Sequence, residues 1–133
     1  MSLRKPPEPA GPGLLVMLVD DDQAIAEMYA IGLSNSGFRV ETLSDAAEFF
    51  QALDRNLPDA VVLDWEMPGI SGGDILRLLR RDPRTLRLPV IFLSNHARDD
   101  VTSVEGDELA WLVKAWTTPA RLVGALKAAL STR

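Results

Sequence analysis

The chain has 133 residues, a one-domain length, and 47% hydrophobic with 25% charged residues is the balance of a packed protein, not of a disordered one. Nineteen acidic against fourteen basic residues leave a net charge of −5, which argues against a surface that binds nucleic acid by neutralising phosphates and suits cations better. The absence of cysteine and the single histidine, His96, exclude disulfides, thiolate metal sites, iron–sulfur clusters, thiol catalysis and a multi-histidine metal site.

Residues 1–13 hold Pro6, Pro7, Pro9 and Pro12 with two glycines, the composition of an extended arm, and the domain is expected over 14–131. Residues 14–19 form a continuous apolar run of strand length, far too short to span a membrane. No charged-then-apolar signal segment precedes it, so the expectation is a cytoplasmic protein with no membrane contact. Residues 24–33 have helical spacing ended by Gly37, and 38–43 alternate like a second strand. Ser44 is a candidate N-cap for a helix carrying Ala47, Phe50 and Leu53 on one face. A third apolar run covers 60–63, a helix with Ile75, Leu76, Leu78 and Leu79 covers 72–81, and a fourth strand covers 90–93. Residues 97–108 are polar and weakly patterned, and 110–113 read as a fifth strand. Thr118 as N-cap and Pro119 in the first turn open a final helix with Leu122, Val123, Leu126 and Leu130 on its apolar stripe. Five strand-then-helix units, with strands apolar on both faces, predict a parallel sheet covered by helices on each side.

Functional groups of such a sheet gather just past the carboxyl ends of its strands. Asp20, Asp21 and Asp22 follow strand one, Asp64 strand three, Ser94 strand four and Lys114 strand five, whereas strand two ends without a comparable group. Asp20, Asp21 and Asp64 cannot sit together as bare carboxylates without strong repulsion, so the pattern calls for a divalent cation with oxygen ligands, magnesium being the natural candidate. A carboxylate beside such an ion can attack phosphorus while a hydroxyl and an ammonium neutralise the transferred oxygens. That chemistry is phosphoryl transfer onto Asp64, assisted by Ser94 and Lys114.

With these residues in order, the chain resembles a response-regulator receiver domain of two-component signalling over roughly residues 14 to 131. Leu18-Val19-Asp20-Asp21-Asp22 is similar to the family's acidic pair, Asp64-Trp65-Glu66-Met67-Pro68-Gly69 to its phosphoacceptor motif, and Gly72, Ser94 and Lys114 complete the set. The resemblance implies a flavodoxin-like (βα)5 three-layer sandwich with a five-stranded parallel sheet in the order 2-1-3-4-5. It implies that Asp64 is phosphorylated, that Asp21, Asp64 and the backbone carbonyl of Glu66 ligate Mg2+ with Asp20 binding it directly or through water, and that Ser94 and Trp111 form the switch. The implied donor is a histidine kinase or histidine phosphotransfer protein, and the implied recipient of the signal is a downstream protein or output domain. Such a domain is a signalling module rather than an enzyme, with no direct nucleic-acid contact, and it allows a dimer formed on phosphorylation.

Three departures from the family pattern are visible. Ala115 follows Lys114 where the family has proline after a cis bond, Asn95 replaces a small residue after Ser94, and the Ser94 to Lys114 spacing is about two residues short, which shortens or distorts the fourth helix. They motivate a second reading, a receiver-like interaction module that binds partners without phosphorylation. A third is a haloacid-dehalogenase-like, magnesium-dependent phosphatase using Asp20-x-Asp22, which leaves the Asp64 motif without a purpose. No helix-turn-helix or catalytic output segment follows the last helix within these residues, so a stand-alone receiver and a piece of a larger regulator are both open. Asp22 is expected to cap its helix, His96 to lie exposed in a loop near the site, and Trp111 and Trp116 to pack partly buried. Arg77, Arg80, Arg81, Arg84 and Arg87 are expected on a solvated face.

Overall fold

β1 (Leu15–Val19) is buried along its whole length, as a central strand with helices over both faces must be. The computed structural model describes residues 13–97 and 110–131. Over them the chain continues as α1 (Gln23–Asn35), β2 (Arg39–Leu43), α2 (Ala46–Arg55), β3 (Ala60–Asp64), α3 (Gly72–Arg81), β4 (Val90–Ser94), β5 (Ala110–Val113), a 3-10 turn (Lys114–Trp116) and α4 (Pro119–Ser131). The strands pair in the order β2-β1-β3-β4-β5, every pairing parallel. This is the expected flavodoxin-like sheet. The helix expected between β4 and β5, with its shortening, and the N-terminal arm lie outside the described residues apart from Gly13.

Period-two alternation divides the strands between two cores. Met17, Val19, Leu63 and Phe92 face Phe49 and Leu53 of α2 and Ile75, Leu76 and Leu79 of α3. Val16, Leu18, Val62, Ile91 and Leu93 face Tyr29 and Leu33 of α1 and Leu122 and Leu126 of α4. Each fully buried side chain of this size stabilises by about 1.5–3 kcal/mol relative to exposure. β2 departs from the expectation of two apolar faces: it lies at the sheet edge, and Arg39, Val40, Glu41 and Thr42 are exposed or half-buried.

The helix ends follow from side-chain chemistry. Asp22 Oδ1 accepts from Ile25 N at 3.1 Å, and Thr118 Oγ1 from Arg121 N at 3.2 Å, both caps as expected. The cap of α2 is Asp45, not Ser44: Glu48 N donates to Asp45 Oδ1 at 2.8 Å, while Ser44 N and Oγ donate to the Glu48 carboxylate. The buried face of α2 is Phe49, Ala52 and Leu53, while Ala47 is exposed and Phe50 is half-buried. On α3, Leu78 is 44% exposed, because the stripe that meets the sheet is Ile75, Leu76 and Leu79. Gly37, at φ 98°, makes the turn that ends α1. A Cβ on Gly32 would stand 2.6 Å from Pro119 Cβ, so this mid-helix glycine is what lets α1 and α4 approach so closely.

Candidate phosphoacceptor site

The register of the sheet builds the site. Val19 pairs with Leu43 and Leu63, Asp64 with Leu93, and Ser94 with Val113, so Asp20, Asp64, Ser94 and Lys114 all emerge at the carboxyl edge. The neighbours of β1 are reached by crossovers in opposite directions, to β2 on one side and β3 on the other, which opens a crevice between the ends of β1 and β3.

Asp20 and Asp64 occupy that crevice, each 2% exposed, with Asp21 exposed beside them. Asp22 N donates to Asp20 Oδ1 at 2.9 Å, and Glu66 N to Asp64 Oδ1 at 3.1 Å, so both carboxylates are fixed by the chain two residues on. Lys114 bridges them: its Nζ stands 3.1 Å from Asp20 Oδ2 and 3.3 Å from Asp64 Oδ1. The two acids plus one ammonium leave the cluster negative. Burial, then the charge of Asp20, pushes the Asp64 carboxyl up to about 7 against the pull of Lys114. For Lys114, burial alone would lower the ammonium, but the carboxylates of Asp64 and Asp20 outweigh it and hold the group above its ordinary value.

The Lys114–Ala115 bond is trans, as is every described peptide bond. Lys114 is held instead by the 3-10 turn it opens. Thr117 N donates to Lys114 O at 3.3 Å, Thr117 Oγ1 donates to Val113 O at 2.8 Å, and the buried Tyr29 hydroxyl donates to Thr117 O at 2.7 Å. In that turn Trp116 points away from the domain and is 65% exposed, a correction to the expected packing role.

The β4 end is organised by hydrogen bonds. Ser94, fully buried, donates from Oγ to Glu66 Oε2 at 2.6 Å and accepts from His96 N at 3.0 Å. Glu66 Oε1 accepts from Asn95 N at 3.0 Å. His96 is exposed in the loop near the site as expected, and its carbonyl accepts from Trp111 Nε1 at 2.9 Å. The Trp111 ring, half-buried, lies 5.0 Å from Trp65 and 5.6 Å from Phe92 between ring centroids. Trp65 in turn sits under the first turn of α3, where a Cβ on Gly73 would come within 2.9 Å of its ring.

The expected acids, Ser94 and Lys114 therefore gather at one edge of the sheet, and Trp111, within β5, reaches it through its indole bond to His96 O. The reading from sequence missed the Glu66 side chain, having used only its carbonyl, and the Trp65 ring; the one available signal was the adjacent Gly72-Gly73, which leaves room for an aromatic neighbour. Asp22 caps α1 through Oδ1, and the phosphatase reading is not favoured. Of the arginines, Arg81, Arg84 and Arg87 are exposed as expected and Arg77 is half-buried, but Arg80 is structural: its guanidinium donates to Thr85 O and Leu88 O at 2.9 and 2.8 Å.

Comparison with known proteins agrees with this geometry. The family described as response regulator receiver domain matches residues 16–126, and the chain belongs to it. It is a receiver domain of two-component phosphorelay signalling. The phosphate regulon transcriptional regulatory protein PhoB of Rhizobium meliloti is 33% identical over 117 residues, covering 86% of this chain and 51% of that protein. Protein RcaC of Microchaete diplosiphon is 47% identical over 79 residues, covering 59% of this chain and 12% of that protein. The chain thus spans about half the length of the one relative and a small part of the other. A response regulator receiver domain protein from Clostridium thermocellum superposes with a TM-score of 0.78 at 27% identity, covering 90% of this chain and 95% of that one. Among the described residues no helix is long and apolar enough to cross a membrane.

Proposed function

We propose that Asp64 is the phosphoacceptor, with Lys114 and Ser94 as the groups that neutralise the transferred phosphoryl oxygens. The observation that carries this is the buried Asp64 carboxylate lying 3.3 Å from the Lys114 ammonium at the switch point of the sheet. In the reaction an Asp64 carboxylate oxygen forms a bond to phosphorus as the phosphorus–nitrogen bond of a phosphohistidine breaks, the electron pair remaining on the imidazole. Lys114 is already charged and positioned, so it supplies electrostatic stabilisation without rearrangement. The partner is a histidine kinase or a histidine phosphotransfer protein, and the modified domain acts on a downstream protein or output domain in the cytoplasm, without nucleic-acid contact of its own.

The donor set fits Mg2+. Oxygens of Asp20, Asp21 and Asp64 lie within 4.8 Å of one another, and Asp20 Oδ2 is buried with an ion-pair neighbour but no hydrogen bond. These three carboxylates, with the Glu66 carbonyl, would hold the ion. When bound it supplies positive charge that lowers the Asp64 carboxyl and balances the developing phosphoryl charge.

Incubation with acetyl phosphate and Mg2+ is expected to add one phosphoryl group, read by intact mass, and Asp64→Asn to take up none. Equal incorporation in the variant, or none in the unaltered chain, overturns the assignment.

A further inference from the structure

Ser94 has one proton to donate, and in the unmodified domain it is already given to Glu66 Oε2 at 2.6 Å. The same carboxylate accepts Asn95 N through its other oxygen at 3.0 Å, so Glu66 fastens two consecutive residues where β4 ends. The base of this arm is anchored at the acceptor, because Glu66 N donates to Asp64 Oδ1. Its far end leads on through Ser94 Oγ, which accepts His96 N, to His96 O, which accepts the Trp111 indole.

We infer that Glu66 is a positioning residue, a carboxylate latch that holds Ser94 in the unmodified arrangement and competes for its hydroxyl with the phosphoryl group on Asp64. The inference rests on the phosphoacceptor reading and deepens it. The Glu66 side chain is 28% exposed, so its bonds to Ser94 and Asn95 are partly shielded from water and charge-assisted. They set a threshold. A phosphoryl dianion placed two residues away acts against the latch twice: it repels the Glu66 carboxylate, and it offers Ser94 a stronger acceptor. Release leaves Asn95 N without its carboxylate partner and removes the constraint on the strand end next to the Trp111 bond. The His96 Nε2 stands 4.0 Å from Glu66 Oε2, beyond hydrogen-bond reach but at ion-pair distance when the ring is protonated.

The test has one arm without any phosphodonor and one with a phosphoryl mimic. In the unmodified protein, Glu66→Ala is expected to speed hydrogen exchange of the Asn95 amide by about tenfold, an equilibrium change of about 1.4 kcal/mol. Unchanged exchange overturns the latch whatever Asp64 does. With beryllofluoride and Mg2+ titrated against tryptophan fluorescence, Glu66→Ala is expected to lower the half-saturating concentration by about tenfold. Glu66→Gln, which keeps the shape and one acceptor, should shift it less in the same direction. In a Ser94→Ala background the shift should shrink to the part that charge repulsion supplies, because no hydroxyl then remains for the latch to withhold. A shift of full size in that background means that Glu66 acts by charge alone and overturns the proposal. A silent titration in every variant, with the Asn95 change intact, instead removes Asp64 as acceptor and with it the competition half of the inference.

Discussion

At the ends of β1 and β3, Asp20 and Asp64 are buried side by side with Lys114 as their shared counter-charge, whereas at the ends of β4 and β5 Ser94, Asn95, His96 and Trp111 are joined through Glu66 and one another by hydrogen bonds. The first region is electrostatically uncomfortable in the free protein. Burial penalises its charges, the acids repel, and anything that brings positive charge or removes an acid relieves it. The second region is comfortable as it stands, and moving it means breaking bonds already made. On the proposed reading the two regions have different work: reactivity comes from the strained side and the threshold for changing shape from the satisfied side.

The comparison breaks most visibly at Lys114. Replacing it with methionine removes the cation that lies 3.1 and 3.3 Å from the two acids, and phosphorylation by acetyl phosphate is expected to slow by about a hundredfold, the usual scale for loss of a preorganised charge. Timed intact-mass measurements at saturating Mg2+ read it. A rate within a factor of about two of the unaltered domain would mean that the ammonium is an ornament of the ground state.

A second test measures the strain directly. The Asp64 carboxyl lies at about 7, above its ordinary 3.8, so the folded state prefers its neutral form. Stability from this group is therefore full below about pH 4 and is lost as the pH rises toward 7. A carboxamide at this position mimics the neutral acid. Asp64→Asn is expected to stabilise the metal-free protein by on the order of 2 kcal/mol at about pH 8 and by clearly less at about pH 5, with the gain shrinking when Mg2+ is added. Chemical denaturation at the two pH values measures this, and an equal gain at both places the strain elsewhere.

How much of each region could be read beforehand follows the same division. The acids and the lysine are visible because strand ends in a parallel sheet must project to one edge, and apolar runs locate those ends within a residue or two. Asp22 and Thr118 are equally plain, since a cap is a local pattern. The hydrogen-bonded region is not, because the Glu66 to Ser94 bond joins residues 28 apart and depends on the direction of one side chain, which no periodicity encodes. Ser44 and Asp45 are adjacent residues that both cap well, and the choice between them is made by Glu48 reaching back to Ser44. Trp116 has the composition of a core aromatic, and only the 3-10 turn after β5 carries it outward.

The smallest effect isolates the satisfied region from the strained one. Trp111→Phe keeps an aromatic ring against Trp65 and Phe92 but deletes the indole donor that reaches His96 O. The bond is exposed, so the expected loss in chemical denaturation is only about 1 kcal/mol. Its value lies in what should stay still. The charges that act on the Asp64 carboxyl are Asp20 and Lys114, which the substitution leaves in place, so the Asp64 titration followed by carboxyl NMR should remain at about 7. If the titration moves with the substitution, the two regions share one energetic unit, and the phosphoryl group need not open the latch to be felt at Trp111. If it stays, the strained acids and the hydrogen-bonded strand end are separable, and Glu66 is the residue through which one reaches the other.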